Sequence, residues 1–263
     1  MSAQAPGDHP PSARVDGGAA CEEHSAEPTP APEPALGHPR VHLRLTDSTN
    51  ERARALALAG APHGTLVSAA EQSAGRGRQG RRWVAPAGSS LLMSLLLRQP
   101  PRLLPLMAAL AVCDLAGERA RIKWPNDVVF VEQGGRLAKL AGILVEGRPQ
   151  QGWAVLGIGV NAAVRADELP PELGAATLGL ARGMLEHALA RLVAALARRL
   201  AEPDAHTLVA WRERDALRGR EISWSAGSGR AEGIDGDGRL VVELSGGGRT
   251  ALGSGEVHLG AIA

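Results

Sequence analysis

Five short apolar runs between residues 65 and 161 restrict what this chain can become: TLVSAA (65–70), LLMSLLL (91–97), DVVFV (127–131), LAGILVE (140–146) and WAVLGIGVN (153–161). Each has the length and texture of a strand. A further strand is expected at VHLRL (41–45), where apolar and polar residues alternate and the fold begins near Val41. DSTNERARALALAG (47–60) follows, with Ser48 and Glu51 at capping-box spacing before an apolar helix that stops at Gly60. Apolar residues at helical spacing mark helices over 103–117, 184–201 and 205–217, the second with Arg198 and Arg199 near its C-terminal end. The pattern predicts an α+β fold, a mixed β-sheet with packed helices, over residues 40–218. After Gly219 the texture changes to short β-like pieces, REISWS, RAEGI, RLVVEL and RTALG, separated by turns such as DGDG and SGGG. Residues 219–263 therefore read as a small β-barrel with too little chain for a large core alone, packed on the main domain. Residues 1–39, rich in Pro, Ala, Gly and Glu, offer no apolar period to offset chain entropy and read as a disordered extension.

Lys plus Arg at 29 against Asp plus Glu at 28 leaves a net charge of +1, which excludes a polybasic whole-chain function. Any charge that matters is local. With five Trp, one Phe and no Tyr the core must be aliphatic, and a Trp inside a motif stands out. Cys21 and Cys113, far apart, make neither a disulfide framework nor a cysteine zinc site. There is no basic-then-apolar leader and no uncharged apolar run of about 18 residues, so a soluble cytoplasmic protein without a membrane partner is expected.

The densest signal is AGRGRQGRRW (74–83), with three glycines and four arginines in ten residues. Gly75, Gly77 and Gly80 formally match G-x-G-x-x-G, but RRWVAPAGSS follows where a dinucleotide fold needs a helix, and no acidic residue stands about 20 positions on. What remains is a flexible loop whose amides can approach a ligand closely and whose Arg76, Arg78, Arg81 and Arg82 can fork onto phosphate or carboxylate oxygens. Alone, it reads equally as a solvated basic loop or a nucleic-acid contact. A second cluster, KWPND (123–127), crowds Lys123, Trp124, Asn126 and Asp127 before a strand, offering a phosphate contact, an apolar wall and an oxygen ligand for Mg²⁺. A β-turn with Asn-Asp chemistry explains the same residues. Lys139 precedes the strand that holds Gly142, and Gly157, Gly159 and Asn161 close the next; such glycines permit close strand packing or let a ligand lie against the backbone.

Taken in order, DSTN (47–50), EQSAGRGRQGRRW (71–83), PAGSSLLMSLLL (86–97), KWPND (123–127), KLAGILVE (139–146) and GIGVN (157–161) closely resemble the biotin protein ligases. The resemblance covers nearly everything after residue 40 and continues into the C-terminal β-module. It implies a class II aminoacyl-tRNA synthetase-like fold, that of the biotin and lipoate ligases, with an SH3-like C-terminal barrel. It implies ATP-dependent activation of biotin to biotinyl-5′-AMP with Mg²⁺, then transfer of biotin to one lysine of a biotin carboxyl carrier protein, typically the acetyl-CoA carboxylase subunit. By motif match, Ser48, Thr49, Asn50 and Gln72 bind the biotin head group, Gly75, Arg76, Gly77 and Arg78 close over its tail and the adenylate, and Gly142 belongs to the same subsite. Arg76 and Arg78 neutralise carboxylate, pyrophosphate and developing adenylate charge, and Arg81 reaches the triphosphate. Lys139, beside the biotin carboxyl and the α-phosphate, is the principal electrostatic catalyst. Lys123, Asn126 and Asp127 face nucleotide, metal and incoming lysine, with Asp127 as metal ligand and Asn161 near adenine or ribose. Trp83, counted with the ATP-binding set, and Trp124 pack beside adenine or the biotin ring, or else in the core.

Some family members carry an N-terminal winged helix-turn-helix. The first 40 residues are too few and too Pro-rich to make one, so a monofunctional ligase without DNA binding, a monomer or weak homodimer, is expected. Gln79 stands where another basic residue is common, with little expected consequence because arginines flank it. Two rival readings are a lipoate-protein ligase, which shares fold and chemistry, and a nucleic-acid-binding module built on the Arg loop and barrel.

Overall fold

The computed structural model describes residues 1, 3, 35–148, 151–165, 168, 174–253, 255 and 257–259. Most of the extension expected over residues 1–39, Cys21 included, lies outside the described residues. At its end, Leu36 packs against the core and Gly37 N donates to Gly64 O at 2.9 Å.

Seven strands form one mixed sheet: β1 (Arg40–Leu43), β2 (Leu66–Ala69), β3 (Ser90–Arg98), β4 (Ala120–Lys123), β5 (Asp127–Val131), β6 (Leu137–Arg148) and β7 (Trp153–Asn161). Their order is β1-β2-β3-β7-β6-β5-β4, parallel only between β1 and β2. Successive side chains of a strand point to opposite faces, and the two faces are covered differently. Helix α1 (Thr49–Leu58) buries Ala53 and Ala57 against Val67, Leu96, Trp153 and Val155 on one face. On the other, Met93, Leu95, Leu140, Leu156 and Ile158 meet α2 (Leu104–Ala116) and join a core that includes α3 (Leu185–Leu200) and α4 (Asp204–Glu213). Helix α2 is apolar nearly all round because it is sandwiched: Leu104 and the whole of 106–113 are buried. Pro105 sits in its first turn and Gly117, at φ +88°, ends it. In α3 only the stripe Ala188, Leu189, Leu192, Ala195 and Leu196 is buried. Arg199 ties α3 to α2 through two bonds to Asp114, at 2.8 and 2.7 Å, which hold the guanidinium firmly charged. Burial pushes the Cys113 thiol up to about 12, so this side chain acts as a small apolar filler.

Strand β4 has no sequence signature and α4 stops earlier than its apolar spacing suggests, for one shared reason. Ile122 N donates to Arg214 O at 2.7 Å and Ala216 N to Ile122 O at 2.9 Å, so the chain leaves the helix to pair with the β4 edge. Beyond it, β8 (Glu221–Trp224), β9 (Gly227–Ile234), β10 (Leu240–Leu244), β11 (Arg249–Leu252) and β12 (His258–Leu259) form an SH3-like antiparallel sheet in the order β11-β10-β9-β8-β12. Ile222, Ala231, Ile234, Leu240 and Val242 belong to the same apolar cluster as α2, so the small module shares the main core. Trp124 resolves to packing: its indole is buried and Nε1 donates to Gly238 O, in the β9–β10 turn, at 3.1 Å. No helix among the described residues is long and apolar enough to cross a membrane.

Candidate active site

A cavity of about 300 Å³ opens on the α1 face of the sheet, within the range of small-molecule sites. Ser48, Thr49, Asn50, Gln72, Arg76, Gly77, Arg78, Arg81, Trp83, Lys123, Asn126, Asp127, Lys139, Gly142 and Asn161 all line it; Gly75, and Trp124 with its alternative place in the core, do not. Gly75 acts through its backbone, accepting from Trp83 N at 3.0 Å, where a Cβ would stand 2.4 Å from Trp83 O.

One wall is the N-terminus of α1. Ser48 occupies the N-cap position but its side chain makes no capping bond, and the capping box expected with Glu51 does not form. Because this helix end faces the cavity, its amide is satisfied from outside the helix: Thr49 N donates to Gln72 Oε1 at 2.7 Å and the Thr49 hydroxyl to the same oxygen at 3.2 Å. With its carbonyl committed to the helix, Gln72 has its amide Nε2, a donor, to offer a ligand carbonyl. Asp47 Oδ1 accepts Ser48 N at 2.7 Å and the Thr46 hydroxyl at 2.9 Å, which together hold its carboxyl below the usual range.

The floor is glycine. Gly142 of β6 and Gly159 of β7 are register partners, and the Trp83 indole lies on them: a Cβ at Gly159 would stand 2.6 Å from Cε2 and one at Gly142 3.1 Å from Cζ3. A Cβ at Gly157 would stand 2.0 Å from Asn50 Oδ1. These glycines, read from sequence as sites of close packing or of ligand approach, admit two of the chain's own side chains and also line the cavity. The Trp83 Nε1 is buried with no hydrogen-bond partner among the described residues. Asn50 is held by the Ser94 hydroxyl at 2.5 Å and donates to Glu146 Oε2 at 2.8 Å.

Cations ring the remainder. Lys139 Nζ lies 2.8 Å from Asp127 Oδ1 and 5.8 Å from the centroid of the Trp83 ring. Asn126 joins the β4–β5 turn to β6, its Nδ2 donating to Ile143 O at 3.0 Å while its Oδ1 accepts Arg78 Nη1 at 3.3 Å. Asn161 Nδ2 donates to Ala176 O at 3.1 Å, bracing the segment that brings Ala175 to the cavity. The glycine-arginine loop is closed on itself by Gly77 N to Arg81 O at 2.7 Å, with Gln79 at φ +54° and Gly80 at φ +75° in its turn. Arg76 turns to Glu51 and Glu146, each at 3.0 Å, rather than into the cavity alone. Val84, Met93, Ile143, Leu144, Ile158 and Ala175 also line the cavity without having been singled out as ligand residues, as does Arg82, which was read only as one of the loop's anion-binding arginines. Arg82 shared the loop's signal; the apolar ones read only as strand interior, and Ala175 has no local signal.

Among the described residues no three His, Cys, Asp or Glu side chains gather as a metal cage. Asp127 Oδ1, buried and without an aligned hydrogen bond although the Lys139 ammonium is near, is a single hard oxygen ligand. That donor set fits Mg²⁺ brought in on phosphates, which takes one or two carboxylates rather than a dedicated protein site.

Comparison with known proteins identifies the architecture. Residues 42–161 match the Biotin/lipoate A/B protein ligase family and residues 223–260 the Biotin protein ligase C terminal domain. Fold and cavity together are those of a ligase of the biotin/lipoate class. The chain is 37% identical over 245 residues to the biotin-[acetyl-CoA-carboxylase] ligase of Paracoccus denitrificans, covering 83% of this chain and 99% of that protein. It is 37% identical over 150 residues to the bifunctional ligase/repressor BirA of Bacillus spizizenii, covering 52% of this chain and 45% of that protein, so it spans less than half of that relative's length. Among solved structures, the biotin protein ligase from Aquifex aeolicus in complex with biotin and ATP aligns with a TM-score of 0.68 at 27% identity, over 84% of this chain and 97% of that one. The chain belongs to the biotin protein ligase family.

Proposed function

We propose that this chain joins biotin to AMP and then to a lysine of a biotin carboxyl carrier protein, the acetyl-CoA carboxylase subunit, with residues 40–218 as the catalytic part and 219–263 as the C-terminal module. In this reading it works in the cytoplasm, as a monomer or weak dimer, without DNA. The observation that carries it is the convergence of Lys139, Arg78, Arg81 and Lys123 on one cavity whose floor is an indole on paired glycines. A carboxylate does not acylate an amine at neutral pH, because oxide is a poor leaving group. In the first step the biotin carboxylate oxygen bonds to the α-phosphorus of ATP and the bond to pyrophosphate breaks. Both partners are anions, so their meeting depends on fixed cations and donors. Lys139 is set to bridge carboxylate and α-phosphate, and Arg78 and Arg81 to take the phosphate charge; Mg²⁺ at Asp127 would offset the triphosphate charge. In this reading Gln72 Nε2 and the Ser48 hydroxyl take the ureido head and Trp83 the apolar body, which their shared lining of the cavity supports. In the second step the carrier amine, having lost a proton, attacks the biotinyl carbonyl and AMP leaves; no protein nucleophile is needed.

Incubation of the full chain with biotin, MgATP and a carrier domain is expected to add one biotin mass to one lysine. Lipoate in place of biotin should add nothing, and an unmodified carrier in both arms removes the proposal. Closure of the arginine loop shelters the anhydride from water. Arg78→Ala accordingly leaves the melting temperature in place but releases biotinyl-AMP about ten- to a hundredfold faster. Retention of labelled adenylate on the variant at the wild-type level refutes this role for Arg78.

A further inference from the structure

The glycine-arginine loop is tied to the body of the protein by a side chain outside the motifs' charged centre. Arg76, on the loop, meets two carboxylates: Glu51 of α1 and Glu146 of β6, each at 3.0 Å. The two differ in how firmly they are held. Glu51 is shared with Arg54 at 3.2 Å and rests on the first turn of a helix, with its side chain over a third exposed. Glu146 gives its second oxygen to Asn50 Nδ2 at 2.8 Å. Asn50 in turn cannot shift: it is buried, seated in the space a Cβ at Gly157 would fill, and fixed by the Ser94 hydroxyl at 2.5 Å. One carboxylate thus spans an immobile amide in the cavity wall and the guanidinium of the loop. With two anions around it, Arg76 has its charge already balanced, unlike Lys139, whose neighbour Asp127 is also the candidate metal ligand.

We propose that Glu146 is a positioning residue, the rigid half of a latch that holds Arg76 and so keeps the glycine-arginine loop closed across the cavity. The latch rests on the ligase reading, because closure matters only if a reactive adenylate must be retained. Geometry makes the loop, not the chemistry, the thing it controls: Glu146 touches Asn50 and Arg76, whereas Lys139 and Asp127 pair with each other. An exposed ion pair contributes little, about fivefold in an equilibrium at most, and it weakens with salt. Those two properties set the size and the signature of the effect.

The first test needs no catalysis. Full-length wild type, Glu146→Gln, Glu51→Gln and Arg76→Gln are exposed briefly to trypsin without biotin or ATP, and the fragments are weighed. Cleavage after Arg78, Arg81 and Arg82 is expected to be about three- to fivefold faster in Glu146→Gln than in wild type, with a smaller gain in Glu51→Gln and unchanged cleavage elsewhere. Adding Glu146→Gln to Arg76→Gln should give no further gain at Arg78 to Arg82, because the loss of Arg76 already removes that contact. Salt should raise the wild-type rate toward that of Arg76→Gln and leave Arg76→Gln itself flat. Equal loop cleavage in wild type and Glu146→Gln, or strictly additive effects of the pair, overturns the latch. The second readout is release of biotinyl-AMP, expected to quicken by the same factor with unchanged melting temperature. If adenylate never forms on wild type, the ligase reading falls and the latch's purpose with it; if it forms and leaves both proteins equally fast, the latch alone falls.

Discussion

Lys139→Ala is expected to lower biotin-dependent ATP–pyrophosphate exchange by about a thousandfold while the melting temperature moves by only a few degrees. The size follows from position. Lys139 stands between the indole of Trp83 and the carboxylate of Asp127, beside the glycine floor, where the proposed reaction has the biotin carboxylate meet the α-phosphate. Two anions brought to bonding distance repel, and a fixed ammonium acts without having to reorganise as charge shifts from carboxylate to phosphate. Losing one such group in a water-poor cavity typically costs about two to three orders of magnitude. The cost to folding is smaller because about a third of the Lys139 side chain is exposed and Asp127 can hydrate once its partner has gone. Lys139→Arg keeps the charge but should recover little, since a planar fork does not reproduce the compact ammonium held between Asp127 and the Trp83 ring. Exchange within tenfold of wild type in the alanine variant, by isotope incorporation into ATP, removes Lys139 from the chemistry. Loss of exchange together with a collapse of the melting curve makes it a structural residue instead.

What the sequence made legible were features carried by contiguous residues. The apolar run 153–161 became β7 residue for residue, and the dense apolar stretch within 103–117 became α2, because a run buried on both sides has no other place to go. Strand β4 is ARIK, half charged, and exists only because β5 and the chain at Arg214 to Ala216 offer it partners nearly a hundred residues away along one side. No local period encodes that. The site divides in the same way. Residue types at the cavity were readable from the motifs, since cations, amides and glycines in that order leave few chemistries open. Who holds whom was not. Ser48 and Glu51 have capping-box spacing, yet the cap comes from Gln72, 23 residues on, and Glu51 turns to Arg76. Likewise Gly157 and Gly159 read equally as room for close packing or for a ligand, and the structure shows that Asn50 and Trp83 lie against them at the cavity. A glycine reports that something approaches; only the fold says what.

Those two glycines sit on the same face of β7, two residues apart, and their alanine variants are expected to fail in opposite ways. At Gly157 the new methyl would stand 2.0 Å from Asn50 Oδ1, an impossible contact. β7 cannot retreat, because β3 and β6 bond it on both sides, and Asn50 is pinned by Ser94 and Glu146. Relief requires ejecting Asn50, which adds overpacking to the loss of its bonds with buried Ser94 and with Glu146, about 2–4 kcal/mol in all. For a chain of this size that is roughly 5–15 °C in melting temperature. At Gly159 the methyl would stand 2.6 Å from Trp83 Cε2, an equally hard clash, but Trp83 ends a loop held by a few backbone bonds and can swing away. Stability should then change by less than about 1 kcal/mol. The indole would leave the cavity floor, its ring face would go with it, and the biotin concentration needed for half-maximal rate should rise about ten- to a hundredfold, the worth of an apolar wall. Calorimetry beside a biotin titration separates the two. A Gly159→Ala protein that melts as low as Gly157→Ala would mean that Trp83 is clamped rather than carried on a movable loop, and loop closure as the means of sheltering the adenylate would have to be abandoned.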